Sequence, residues 1–362
     1  MQPRDPSSKI LLSALGRPAG LGDLTESEWD VLLRQARTAN VLSRLAFAVQ
    51  DLGIAERLPG QVVGAFRAAT TVYEHRRRTI RWEVGRVRAA LGELDTPILL
   101  LKGAAYEFAE LPPARGRLAA DVDIMVREDA LERVEAALLD HGWQHVLLEP
   151  YDQRYFRSWM HELPPLVHRE RGTELDVHHT ILPRTSRLKP SADKLWAAAV
   201  KLDGSGLHVL SPVDMVLHSA AHAFHDGEIS LAIRDLADIH DLLVHFGQDV
   251  GFWDSLAPRG RALDLSRPLY YALRYARLLL GTTIPDVVVA ELAATGPSRP
   301  VIAAMDRLVP RVLVPGNPDR PPRSGSRATL LLYIRSHWLK MPPLLLTTHL
   351  VRKIFKRKLQ ND

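Results

Sequence analysis

The sequence contains no cysteine among its 362 residues. Disulfides, thiolate nucleophiles and cysteine-ligated zinc or iron–sulfur centres are thereby excluded, which leaves histidine and carboxylate side chains as metal ligands. Aromatic residues make up only 6% of the chain, and no cluster of them suggests the stacking surfaces that bind single-stranded nucleic acid. No run of about 18 uncharged apolar residues occurs, so no membrane span is expected. The apolar stretches near the end are broken by Arg335, His337, Lys340 and the pair Pro342-Pro343. The opening MQPRDPSSKI also lacks the basic-then-apolar order of a secretory signal. A soluble cytoplasmic protein is the expectation.

Lysine is scarce: nine of the 47 cations are lysine and 38 are arginine, against 42 acids, for a net charge of +5. The excess is concentrated over residues 351–359, where Arg352, Lys353, Lys356, Arg357 and Lys358 occur without an acid. With Leu350, Val351, Ile354 and Phe355 between them, they read as an amphipathic terminal helix packed on the body. Contact with nucleic acid or an anionic surface is the lesser reading of this segment.

The hydrophobic pattern divides the chain into three parts. Residues 1–94 read as helical. Thr25, with Glu28 three residues on, has the form of a capping box ahead of a helix over 27–48, and a second helix is expected over 59–94. Residues 95–210 change character. The continuous apolar run Pro97-Ile98-Leu99-Leu100-Leu101 suits a strand buried on both faces. A helix over 104–110, a loop over 112–116, an alternating strand over 121–126 and an amphipathic helix over 128–141 follow, the last stopped by Gly142. Further strands are expected at 143–148, 165–169 and 174–178. Residues 211–362 are helical again, interrupted by the proline-rich stretch 315–326, read as a flexible loop. The fold class is α/β (α+β), with a mixed-sheet core between two helical sections.

Asp121 and Asp123 carry the strongest chemical signal. Side chains two apart on a strand share a face, so both carboxylates converge on one point. Such acids repel unless a cation lies between them or one is protonated. Hard oxygen ligands suit Mg²⁺, which takes one or two carboxylates and leaves room for substrate phosphate. Lys102-Gly103 closes the apolar strand just before a helix, where a small residue admits phosphate to backbone N–H groups and lysine offers a point charge. A third acid, Asp176, lies on another expected strand with His178 on the same face, and it can complete the site or act as base.

Together, "LLLKGAAYEF", "RLAADVDIMV", the helix ending "HGW" and the later "ELDVHH" resemble the bacterial nucleotidyltransferase family of the polymerase-β-like superfamily, in the branch often labelled uncharacterised nucleotidyltransferase. The likeness extends to the helical lead-in with Trp29 and to "LSPVDMVLHSAAHAF" and "IRDLADIHDLL", so it covers most of the chain. It implies Mg²⁺-dependent transfer of a nucleoside monophosphate from an NTP, with ATP the expected donor, to an acceptor such as a peptide natural product or small molecule. It further implies that Asp121, Asp123 and Asp176 hold the metal and carry the catalysis. Lys102, Gly103, Arg117 and His178 would bind nucleotide and phosphate. The chain departs from better-studied branches in having Gly103-Ala104 where they have Gly-Ser. That departure favours one alternative, a nucleotide-binding module without turnover; the basic tail favours another, an RNA-directed transferase. For His218, His222, His225, Arg234, Asp235 and Asp238, at helical spacing, a polar contact between two helices lining the cleft is preferred to a second metal site.

Overall fold

The computed structural model describes residues 6–146, 149–225, 232–316, 319 and 327–342. The basic helix expected near the end lies outside the described residues, and so does most of the loop expected over 315–326.

The chain begins with four helices: α1 (Pro6–Gly16), α2 (Glu26–Thr38), α3 (Leu42–Leu52) and α4 (Gly60–Ala90). Thr25 and Glu28 form the expected capping box, with Thr25 N–H donating to Glu28 Oε2 at 2.9 Å. The single helix expected over 27–48 is instead two. Asn40 takes the left-handed conformation (φ 55°), and the Val41 N–H donates back to the Ala36 carbonyl at 2.9 Å. These contacts close α2 as an asparagine-capped terminus before α3 begins.

Next come β1 (Ile98–Leu100), α5 (Lys102–Phe108), β2 (Asp121–Met125), α6 (Leu131–Asp140), β3 (Trp143–His145), α7 (Pro150–Trp159), β4 (Leu166–His168) and β5 (Glu174–His178). They are followed by α8 (Ala192–Ala197), β6 (Val200–Lys201) and β7 (Leu207–Val209). A helical remainder comprises α9 (Pro212–Phe224), α10 (Ala232–Phe246), α11 (Val250–Ala262), α12 (Ser266–Tyr275), α13 (Asp286–Ala294), α14 (Arg299–Leu313) and α15 (Arg327–Lys340). No helix among the described residues is long and apolar enough to cross a membrane.

The seven strands form one mixed sheet in the order β3-β4-β5-β2-β1-β7-β6, confirming the α/β expectation. β2 runs parallel to β5 and β1 parallel to β7, while the other neighbours are antiparallel. Strands β6 and β7, of two and three residues, have no counterpart among the expected strands. Helix α7 is not among the expected elements, and none of its residues is fully buried.

A buried ionic cluster joins the N-terminal helices, the sheet and the C-terminal helices. Arg44 on α3 pairs with both Asp238 and Asp241 on α10. Arg117, in the loop before β2, donates its Nε–H to Asp238 at 2.7 Å, and its side chain is only 7% exposed. The loop approaches closely because of Gly116, which sits at φ +85°, where a Cβ would lie 2.6 Å from the Arg44 backbone. Removing one partner of a buried pair leaves the other charge uncompensated. Asp238→Ala is therefore expected to lower the unfolding free energy by about 3–5 kcal/mol in denaturant titration. Asp286→Ala, at the exposed Arg277–Asp286 pair, should change it little.

Candidate active site

The parallel register of β2 and β5 builds the centre. Asp121 pairs with Glu174, Asp123 with Asp176, and Met125 with His178. Alternation then sets Asp121, Asp123, Asp176 and His178 on one face, while Val122, Ile124, Leu175 and Val177 are buried on the other. Three carboxylates thus meet on one face, Asp123 buried and Asp121 and Asp176 half-buried at the cavity.

Charge compensation comes from β1. Lys102, the first residue of α5, reaches back so that its Nζ donates to Asp123 Oδ1 at 2.8 Å. It does so from φ +44°, a left-handed conformation that a lysine holds only at a cost of about 1–3 kcal/mol. Burial alone would raise the Asp123 pKa, but Lys102 and a contact of 3.2 Å from His178 Nε2 hold it well below the carboxylate range. Lys102 stays charged for the converse reason: burial would lower its pKa, and Asp123 more than restores it. Asp176 makes no ion pair among the described residues, and the charge of Lys102 offsets its surroundings only in part. Burial, then the charges of Asp123 and Asp121, push it up to about 7. Asp121 is raised as well, chiefly by the Asp123 charge and then by burial.

These residues open into a cavity of ≈280 Å³. Lys102, Asp121, Asp176 and His178 line it from the sheet, and His161 and Glu162 from the segment after α7. His218 and His222 on α9 and Lys340 at the end of α15 close the opposite side. His218 is held well below its usual pKa by burial and then by Lys102. His222 donates its Nδ1–H to Asp235 Oδ2 on α10 at 3.0 Å, the helix–helix polar contact expected from the spacing. His225 instead meets Ser186 at 2.8 Å. A larger hollow of ≈470 Å³ lies beyond His179, lined in part by Arg127, Arg184 and Trp196, but it holds none of the candidate residues. The smaller cavity is the one lined by the candidate residues Lys102, Asp121, Asp176 and His178.

Three of the site residues named from the sequence do not line this cavity, the first being Asp123, which is buried at 3% exposure and held by Lys102 and His178. Arg117 turns away to Asp238, with its guanidinium 5.8 Å from the Tyr106 ring. Gly103 lies beneath it, since a Cβ there would come within 2.4 Å of Arg117 Nη1. The glycine makes room for an arginine that braces the β1–α5 turn. His161 and Glu162 were missed. Their signal was a His-Glu pair at the end of an aromatic-rich segment, which no spacing rule connects to strands elsewhere in the chain.

The donor atoms of Asp123, Asp176 and His178 lie within 4.8 Å of one another, and so do those of His161, Glu162 and His178. The first set is carboxylate-rich and over-supplied with negative charge, as the elevated Asp176 pKa shows, so its chemistry fits a hard divalent ion. Asp121 belongs to neither set but flanks the first.

The family described as uncharacterised nucleotidyltransferase matches the chain over residues 25–281. No curated protein and no solved structure matches it.

The electrostatics yield a pH dependence. Because folding raises Asp176 from 3.8 to about 7, its contribution to stability is full below about pH 4 and is lost as the pH rises through about 7. Without metal, wild type should therefore lose melting temperature between pH 5 and pH 8, and Asp176→Asn should lose much less over the same window. A divalent ion should raise the wild-type melting temperature more at pH 8 than at pH 6, where it must displace a proton. An equal rise at both values would rule out Asp176 as part of the cation site.

Proposed function

The chain belongs to the uncharacterised nucleotidyltransferase family, and from that premise we propose that it transfers a nucleoside monophosphate from an NTP, with ATP the expected donor, to the hydroxyl of a small-molecule or peptide acceptor. The observation that carries this reading is the placement of Asp121, Asp176 and Lys102 on one cavity wall, with Asp123 buried behind them and bonded to Lys102. Asp121, Asp123 and Asp176 would hold Mg²⁺, which supplies positive charge against the negative charge developing on the transferring phosphoryl group.

The chain's own residues have separable tasks. An acceptor oxygen forms a bond to the α-phosphorus, the bond from that phosphorus to the bridging oxygen breaks, and pyrophosphate leaves. Asp176 either completes the metal site or takes the acceptor's proton, the second role being suited to the pKa of about 7 that it has in the metal-free protein. Lys102, already charged and facing the cavity, offsets phosphate charge. His178 abuts Asp123 and keeps that carboxylate ionised. Arg117 and Gly103 act on the phosphate side indirectly, by fixing the β1–α5 turn from which Lys102 projects.

Two measurements test this. Labelled nucleotide moving from NTP onto acceptors in host lysate should be seen with wild type and abolished by Asp123→Asn. Asp176→Asn should keep nucleotide affinity within a few-fold while slowing transfer by about 10²–10⁴-fold. Transfer by Asp176→Asn at the wild-type rate would remove it from the chemistry. In calorimetry, Lys102→Ala should weaken NTP binding far more than binding of the bare nucleoside, whereas equal losses would mean that Lys102 does not meet phosphate.

A further inference from the structure

His161, Glu162 and His178 form a second polyvalent cluster on the wall of the same cavity, and nucleotidyl transfer as described above makes no use of the first two. Glu162 Oε2 lies 3.3 Å from His178 Nδ1 and 3.8 Å from His161 Nε2. Metal–ligand bonds of about 2.0–2.1 Å in tetrahedral array put neighbouring donor atoms roughly 3.3 Å apart. The three donors are thus already near ligand spacing, and all lie within 4.8 Å of one another.

Backbone pairing fixes them there. Leu163 N–H donates to the Val177 carbonyl, and His179 N–H to the His161 carbonyl, each at 2.9 Å. These bonds staple the segment bearing His161 and Glu162 along the end of β5, and Glu162 bridges antiparallel to His178. His161 and His178 are buried, at 6% and 2% exposure, yet all three residues border the cavity. That leaves a coordination position facing the cavity. The second nitrogen of His178, Nε2, faces Asp123 Oδ1 at 3.2 Å, the carboxylate–histidine–metal arrangement that orients a ligating imidazole.

We propose that His161, Glu162 and His178 bind a first-row transition ion of the Zn²⁺ class, at a position distinct from the carboxylate site of Asp121, Asp123 and Asp176. Two imidazoles and one carboxylate select such an ion over Mg²⁺, which prefers oxygen donors throughout. Three protein ligands with one position open is the arrangement of a site that meets a ligand from solution.

The test uses the full chain, stripped with chelator and titrated with Co²⁺ in the absence of nucleotide. One equivalent should bind with the visible absorption bands of a four- or five-coordinate nitrogen–oxygen site, and Zn²⁺ should displace it. His161→Gln and Glu162→Gln should each weaken Co²⁺ binding by more than about 100-fold, beyond the loss that follows from disturbing an outer partner of a ligand. Two variants guard against one failing to fold. Asp176→Asn should bind Co²⁺ within a few-fold of wild type. Absence of the bands would overturn the proposal and leave the cluster as an ion-pair network with His178 between two carboxylates. Unchanged affinity in both variants, or an equal loss in Asp176→Asn, would overturn it as well. Because nucleotide is absent from the measurement, failure of the transfer reading leaves this result standing, and the reverse holds too.

Discussion

Repulsion among Asp121, Asp123 and Asp176 is the constraint around which the cavity is organised. The β2–β5 register forces the three carboxylates together on one face, where only Asp123 is fully buried. Such a cluster is sustainable only if charge is brought to it or protons are retained on it. Both solutions are present. Lys102 reaches Asp123 from a strained backbone, and Asp176 keeps a proton up to about pH 7. A site that stores unbalanced negative charge in this way is predisposed to accept a divalent ion together with a polyphosphate, since the two arrive with compensating charge.

Lys102 can hold its position only because the turn beneath it is braced. Gly103 gives up its side-chain volume to Arg117, Arg117 is anchored by Asp238, and Asp238 also binds Arg44. This buried chain of charges links α3, the loop before β2 and α10. Its energetic contribution is ambiguous, because desolvation offsets much of the Coulomb attraction. Its geometric contribution is plain: it positions the helical sections against the sheet, and with them the α9 wall of the cavity. The positions of His218 and His222 depend on this assembly, through contacts such as that between His222 and Asp235.

Legibility in the sequence followed the range of the interaction. Asp121 and Asp123 could be placed on one face because strand periodicity is local, and Thr25 with Glu28 could be recognised because a capping box spans four residues. The capture of Asp176 by the same face was suggested by a strand pattern, but its pairing with Asp123 depends on register between residues 53 positions apart (176 minus 123). Asn40 breaks a helix through backbone dihedrals that its neighbours do not advertise. Arg117 shows the limit most clearly. Its place shortly before the two aspartates suggested a phosphate contact, whereas the side chain faces α10, a helix encoded more than a hundred residues later.

His161 and Glu162 illustrate a different blindness. Neither lies on a strand, so no periodicity assigns them a face, and the strand they border belongs to another part of the chain. What brings them to the cavity is an edge of backbone pairing with β5, two hydrogen bonds long. The ends of sheet strands are where such short pairings deliver polar side chains to a cleft without disturbing the core beneath it. Here the pairing sets a histidine–glutamate pair beside the carboxylates while leaving their strands intact. His178 belongs to both groups, with Nε2 toward Asp123 and Nδ1 toward Glu162. A change in protonation or ligation on one side of that ring must therefore be felt on the other, because an imidazole cannot alter one nitrogen without altering the basicity of its partner. The two halves of the cavity are coupled through a single side chain.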